Sequence, residues 1–114
     1  GDKILVRLGR IIKSCLRKMD TAYRYGGEEF TVILPGTHGE EARTVAERLR
    51  SAVAAEDFTG GEVSNLEITV SIGVTQYRHD EEISSFVQRA DQAMYQSKQA
   101  GRNQVSCLFD LSAG

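Results

Sequence analysis

Two adjacent glycines at positions 26 and 27 separate two short runs of residues that favour β-structure. Residues 21–25 read Thr-Ala-Tyr-Arg-Tyr, and residues 30–34 read Phe-Thr-Val-Ile-Leu. Because glycine tolerates positive φ and carries no side chain, the chain can reverse tightly here and leave its backbone open to a ligand. The sequence therefore predicts a β-hairpin with bare backbone at its tip.

The glycines are followed at once by two carboxylates, Glu28 and Glu29. Hard carboxylate oxygens suit Mg²⁺, which often binds through one or two carboxylates and bridges to substrate phosphates. A solvated acidic turn is the simpler explanation of an isolated Gly-Gly-Glu-Glu, because acidic residues are mostly exposed. The tip is therefore a candidate metal and phosphate site, and the residues on either side of it are needed to choose between the two interpretations.

Helical and extended patterns alternate along the rest of the chain. Three segments have apolar residues at helical spacing: residues 3–18, 39–55 and 81–100. Gly101 follows the last of them and is expected to be its C-terminal cap. Residues 66–77 predict one long strand, and residues 103–109 predict a closing strand. This order predicts a layered α/β domain with a mixed sheet and flanking helices.

Size and composition fit one globular domain. The chain has 114 residues, of which 40% are hydrophobic and 26% are charged. The net charge of −2 does not indicate a general nucleic-acid or membrane surface, so a phosphate ligand needs a local site. No apolar run approaches the roughly 18 residues of a membrane span. Cys15 and Cys107 lack metal-ligand spacing and are expected to be buried free thiols, which fits a reducing cytosol.

Residues 24–30, Arg-Tyr-Gly-Gly-Glu-Glu-Phe, resemble the signature of GGDEF domains, the diguanylate cyclases. Glu28 stands where the family name has Asp, a variant that active members of the family also use. Other matches follow in the family's order: Gly1-Asp2, the Ser-Ile-Gly strand within residues 69–74, and the last helix and exit within residues 90–103. The resemblance implies a palm-like core, similar to that of class III nucleotidyl cyclases.

The resemblance also implies roles for individual residues at the hairpin tip. Glu28 would be the catalytic carboxylate and would bind Mg²⁺ or Mn²⁺ together with Glu29. Gly26 and Gly27 would let the backbone approach the nucleotide phosphates.

Four further residues are implied as nucleotide contacts by the resemblance: Asp2 and Leu5 for the guanine, and Lys98 and Arg102 for the phosphates. Taken alone, Asp2 is explained as an acid at a helix N-terminus. The two cations are explained in the same way at a helix C-terminus, where they complement the helix dipole.

Arg17 and Asp20 resemble the family's Arg-x-x-Asp inhibitory site, at the usual distance from the signature. A guanidinium can bind guanine O6 and N7, while a carboxylate accepts hydrogen bonds from the opposite edge of the base. Arg48 matches the arginine that completes this site from a neighbouring subunit. The alternative for Arg17 and Asp20 is a surface ion pair of little energetic weight.

The function implied by the resemblance is a diguanylate cyclase. Two GTP molecules, one on each subunit of a homodimer, would condense into cyclic di-GMP and release two pyrophosphates, and the product would inhibit the enzyme. The alternative is a catalytically silent sensor of cyclic di-GMP, and the intact signature argues against it. A third interpretation, a polymerase-like or adenylyl-cyclase-like domain, is opposed by Asp2 and by the spacing of Arg17 and Asp20.

The expected setting is the cytoplasm, in a free protein or in the cytoplasmic part of a larger or membrane-anchored one. An upstream sensory or receiver domain is expected as a partner. Neither a nucleic-acid partner nor direct membrane contact by this segment is expected.

The resemblance places the domain at residues 1–109, with residues 110–114 as a C-terminal tail. The family's first strand and helix, which carry a metal-binding Asp, a phosphate-binding Lys and a guanine-binding Asn, would precede Gly1. We therefore expect a longer protein or a fragment, and expect this chain alone to bind cyclic di-GMP better than it makes it. Strand edges left open would invite pairing with another chain.

Overall fold

The computed structural model describes residues 2–25, 29–58 and 67–109, except for the side chains of Asp2 and Tyr25. The elements in these ranges are α1 (Asp2–Ser14), β1 (Thr21–Tyr25), β2 (Glu29–Ile33), α2 (Gly39–Ala55), β3 (Ile72–Val74), α3 (Ile83–Gln99) and β4 (Val105–Cys107). None of the helices described is long and apolar enough to cross a membrane.

The predicted α/β architecture is confirmed, and its strands form two small sheets. β1 pairs with β2 in antiparallel register, from Thr21 opposite Ile33 to Tyr25 opposite Glu29. β3 pairs with β4 in parallel, starting from Ile72 opposite Val105. Within the described ranges the antiparallel pair and the parallel pair form separate two-stranded sheets.

The long strand predicted over residues 66–77 is wrong in extent, and so is the closing strand over residues 103–109. β3 and β4 share a ladder of only three residues, and no other described strand pairs with residues 67–71. The alternation that suggested a strand is nevertheless real, because Ile68, Val70 and Ile72 all pack against the same apolar cluster. Hydrophobic alternation fixes which side chains face the core, whereas ladder length depends on a distant partner.

The helix predicted over residues 3–18 is also shorter in the structure. α1 ends at Ser14, and the next two backbone N–H groups bond to carbonyls three residues earlier, Cys15 to Ile12 and Leu16 to Lys13, both at 3.1 Å. This tightened turn is a common way to end a helix. It places Arg17 beyond the helix, in the segment that leads to β1.

α2 joins the two parts of the core. Its C-terminal half packs on α1 in a buried cluster of Leu8, Ile12, Leu49, Val53 and Phe58. Its N-terminal half contributes Ala42 and Ala46 to a second cluster with Val74 of β3. Half-buried side chains of β1 and β2 complete the first cluster, so the hairpin is held against the α1–α2 layer. Cys15 and Cys107 are free, as predicted, but both are half-buried rather than buried.

β3 and α3 are in very close contact. A Cβ atom at Gly73 would collide with the backbone of Ala90 and Met94, so only glycine fits there. The hydroxyl of the fully buried Ser97 donates to the Ile72 carbonyl at 2.9 Å and accepts from the Ser106 hydroxyl at 2.7 Å. These contacts fix the position of the last turn of α3 relative to β3.

Candidate functional site

The predicted hairpin is confirmed, and its register defines the tip. Tyr25 and Glu29 are the last paired residues, so Gly26, Gly27 and Glu28 make the whole connection between the strands. These three residues lie outside the described part of the chain. Glu29 is half-buried and is the first residue of β2. The backbone of this predicted site residue is therefore held in the strand.

Lys98 and Arg102 lie at the C-terminal end of α3, the helix that packs against the sheet of β3 and β4. Gly101 has φ +121° and ends the helix, while the Arg102 N–H donates to the Ser97 carbonyl at 2.9 Å. This is the glycine cap expected from the sequence, closed by the 6→1 bond that the Schellman motif also uses. Lys98 is half-exposed in the last turn, and Arg102 is exposed in the turn that follows.

The turn after α3 is braced although its backbone is unusual. Arg102 and Asn103 have φ of +64° and +49°, a region that costs non-glycine residues roughly 1–2 kcal/mol each. The Gln104 side-chain amide donates to the carbonyls of Ala100 at 3.1 Å and Arg102 at 3.0 Å. Arg50 of α2 donates to the Asn103 side chain at 2.9 Å. Arg102 therefore lies in a turn of fixed conformation. The hydrogen bond between Arg50 and Asn103 that helps to hold this turn was not predicted from the sequence.

The two predicted guanine contacts are at the start of α1. Asp2 is the first residue of the helix, and its side chain lies outside the described part of the structure. Leu5 is half-buried and packs against the α1–α2 cluster. Its predicted role in lining a guanine pocket stays a prediction.

Arg17 and Asp20 are brought together at the end of α1. The Arg17 guanidinium donates to the carboxylate through Nη2 at 2.8 Å and through Nε at 3.1 Å, and the Arg17 backbone N–H adds a third bond at 2.8 Å. Nη2 also donates to the Thr37 hydroxyl at 2.8 Å and to the Pro35 carbonyl at 3.1 Å. The bonds from the Arg17 side chain, supported by its backbone N–H, hold the pKa of the Asp20 carboxyl below its usual range.

Arg48 lies near this pair within the same chain. Its guanidinium donates to the Cys15 carbonyl at 3.3 Å, two residues before Arg17. Arg48 is exposed, and its contact satisfies one of the carbonyls left over at the end of α1. The structure therefore groups Arg17, Asp20 and Arg48 at one end of α1. The predicted contribution of Arg48 to the site of a neighbouring subunit stays a prediction.

A second arginine–carboxylate pair was missed by sequence reasoning. Arg89 of α3 donates through Nη1 and Nη2 to the two oxygens of Glu81, both at 2.7 Å. It also donates to the Thr75 hydroxyl and the Gln76 carbonyl, both at 2.7 Å. The hydrogen bonds from Arg89, with one from the Arg78 backbone, lower the pKa of Glu81 to about 2. This buried pair fastens the segment between β3 and α3.

Among the residues that the structure describes, no three His, Cys, Asp or Glu side chains gather as metal ligands. The pair at the hairpin tip is not covered by that observation, because Glu28 is outside the described ranges. The chemistry of the tip suits a hard divalent cation, since it offers two neighbouring carboxylates and no soft ligand.

Comparison with known proteins defines the class to which this fold and these motifs belong. The family described as "Diguanylate cyclase, GGDEF domain" matches residues 1–104. The chain therefore belongs to the GGDEF domain family. Its architecture is the palm-like fold of that family, as the solved structures below also indicate.

Individual relatives agree with this assignment. The chain is 48% identical over 107 residues to diguanylate cyclase A of Treponema denticola, which covers 93% of this chain and 29% of that protein. It is 33% identical to the active GGEEF domain of a diguanylate cyclase from Vibrio cholerae, with a TM-score of 0.83, covering 93% of this chain and 67% of that one. The coiled coil and GGDEF domain of DgcB from Caulobacter crescentus, in complex with c-di-GMP, gives 29% identity and a TM-score of 0.87, with 94% and 57% covered.

Proposed function

We propose that this chain is the catalytic domain of a diguanylate cyclase, which condenses two GTP into cyclic di-GMP and releases two pyrophosphates. The observation that carries the proposal is the hairpin register. Pairing of Tyr25 with Glu29 leaves only Gly26, Gly27 and Glu28 in the connection. The connection therefore holds one carboxylate and two glycines, and the second carboxylate begins β2, a combination that suits a metal ion bound to nucleotide phosphates. The chain spans about 29% of the length of its Treponema relative, so the activity of the whole protein is part of the proposal.

The proposed reaction is a pair of identical phosphoryl transfers. In each, the 3′ oxygen of one GTP attacks the α-phosphorus of the other and loses its proton, while the bond to the β-phosphate breaks and pyrophosphate leaves. Glu28 and Glu29 are the residues that would hold Mg²⁺ or Mn²⁺, which supplies charge neutralisation and lowers the pKa of the hydroxyl. Lys98 and Arg102 would bind the phosphates, and Asp2 and Leu5 the guanine.

Because the reaction joins two nucleotides, we place one GTP on each of two copies of the domain. The homodimer, a cytoplasmic setting and control by an upstream sensory or receiver domain belong to the same proposal.

Product inhibition is assigned to the group at the end of α1. Arg17 has a half-exposed side chain beside an enclosed carboxylate, so the guanidinium can offer its outer edge to a guanine while Asp20 keeps it in place. Arg48 lies on the same side of the molecule through its contact with Cys15. The same well-formed pair is the one observation that also favours the alternative, a catalytically silent sensor of cyclic di-GMP.

The experiment is Glu28→Gln in the full-length protein, with cyclic di-GMP formation from GTP measured by mass spectrometry. We expect turnover to be abolished, because the substitution keeps the shape of the side chain and removes the charge that binds the metal. Glu40→Gln, an exposed acid on α2, is the matched control and should retain wild-type activity. Unchanged product formation by Glu28→Gln would contradict the assignment. A wild-type protein that binds cyclic di-GMP and never forms it would establish the alternative.

A further inference from the structure

A groove of about 260 Å³ lies between α1 and the hairpin of β1 and β2. Its lining comprises Val6, Gly9, Arg10, Ile12 and Lys13 of α1, Ala22, Tyr23 and Arg24 of β1, and Phe30 of β2. Ala22, Arg24 and its cross-strand neighbour Phe30 share one face of the hairpin, so the groove lies between α1 and that face, and it also reaches Tyr23 of β1. β2 occupies one edge of β1, and no described strand pairs with the other edge.

The charge of this surface is strongly one-sided. Residues 3–18 contain six cations and no acid, in a chain whose net charge is −2. Arg7 is paired with Glu56 at 2.8 Å and Arg17 with Asp20, but Arg10 and Lys13 are exposed and form no ion pair with the described residues. The groove itself is lined by cations and apolar side chains, without a carboxylate.

The apolar part of the groove is open rather than filled. Val6 and Tyr23 are 54% and 51% exposed, although both lie beside buried residues. Gly9 is in the middle of α1, where glycine is less favourable than alanine by roughly 0.5–1 kcal/mol. A Cβ atom there would meet nothing within 4 Å, so packing inside the chain does not require the glycine. The space above it is available to a side chain from another molecule.

We propose that this groove binds an extended acidic segment of a partner protein, added as a strand along the outer edge of β1. Backbone pairing would supply affinity, as in other strand-addition complexes. Because successive side chains of a strand point to opposite faces, the carboxylates of an alternating segment would approach Arg10 and Lys13 across the space at Gly9. The apolar side chains would lie on the other face, beside the exposed Tyr23. A lipid surface or a nucleic acid has no peptide groups to pair with a strand edge.

The probe for this proposal is a fluorescein-labelled peptide of alternating aspartate and valine, about eight residues long, the length of an ordinary strand. Binding to the full-length protein is followed by fluorescence anisotropy, and amide deuterium exchange locates it. We expect saturable binding that weakens with added salt and slows exchange within residues 21–25.

Two variants test the site. Gly9→Leu fills the groove and removes a helix glycine, so it should block the peptide without loss of helix. The double change Arg10→Glu and Lys13→Glu should weaken binding by about tenfold or more, since it replaces attraction by repulsion. Arg43→Glu, a charge reversal at an exposed position of α2, is the control and should bind as wild type.

Three results would overturn the proposal. The first is no binding of the aspartate–valine peptide. The second is equal binding of a version N-methylated at alternate amides, which cannot pair with a strand. The third is equal binding by the Gly9→Leu protein with its helix content intact. Binding of phosphatidylserine vesicles in place of the peptide, sensitive to the Arg10 and Lys13 changes, would reassign the surface to membranes.

Discussion

Two arginine–carboxylate pairs in this domain have similar chemistry and different surroundings. Arg17 with Asp20 and Arg89 with Glu81 both use two guanidinium nitrogens on one carboxylate. The arginine side chain is 51% exposed in the first pair and 4% exposed in the second. A guanidinium enclosed by protein acceptors can only hold the fold together. One that keeps an outer edge in water can also bind a ligand, so exposure rather than pairing separates the two roles.

The largest effect should come from the enclosed pair. Arg89→Ala leaves Glu81 with most of its hydrogen bonds lost, and breaking a buried pair in this way costs about 3 kcal/mol or more. We expect the free energy of unfolding, measured with urea, to fall by that amount. Arg89→Lys keeps the charge but cannot reproduce four bonds from one planar fork, so it should rescue stability only in part.

The same change at the exposed pair is the matched control. Arg17→Ala should alter the urea midpoint much less than Arg89→Ala, because the lost guanidinium was half in water. Equal destabilisation by the two substitutions would show that exposure does not distinguish these pairs.

The second effect concerns ligand affinity. Arg17→Ala should weaken binding of cyclic di-GMP by about 1–3 kcal/mol, the range for one lost bidentate contact to guanine. Titration calorimetry on the full-length protein measures it, with Thr44→Ala, an exposed change on α2, as control. Wild-type affinity in the Arg17→Ala protein would move the inhibitory site elsewhere.

The features that the sequence predicted correctly depend on local chemistry. The hairpin follows from two glycines between β-prone runs, and the end of α3 follows from Gly101. Neither needs information from a distant part of the chain. The placement of Arg17 beside Asp20 is of the same kind, since the two residues are only three positions apart in the sequence.

The features that it missed depend on partners far along the chain. Arg50 and Asn103 are 53 residues apart, and nothing near either one indicates their contact. Arg89 reads as an exposed helix cation until the segment before α3 folds back and brings Thr75, Gln76 and Glu81 around it. The predicted length of β3 was wrong for the same reason, because the number of paired residues depends on how far the partner strand β4 extends.

The smallest effect is a pH dependence that compares the same two pairs. Hydrogen bonds from Arg89 lower the pKa of Glu81 in the folded protein to about 2, from 4.5 in an unperturbed carboxyl. A depressed folded-state pKa contributes stability that is complete above 4.5 and is lost as the pH falls toward 2. Asp20 has a lowered pKa for the same physical reason and contributes with the same sign.

Urea titrations between pH 6 and pH 2 should therefore show wild-type stability falling with acid, and Glu81→Gln should flatten that slope. Asp20→Asn should flatten it less, since its arginine partner is exposed and solvent screens their attraction. A Glu81→Gln protein whose stability falls as steeply as wild type would mean that other carboxylates dominate the acid response. The buried pair would then hold the segment before α3 by hydrogen-bond geometry, with little contribution from the ionised state of Glu81.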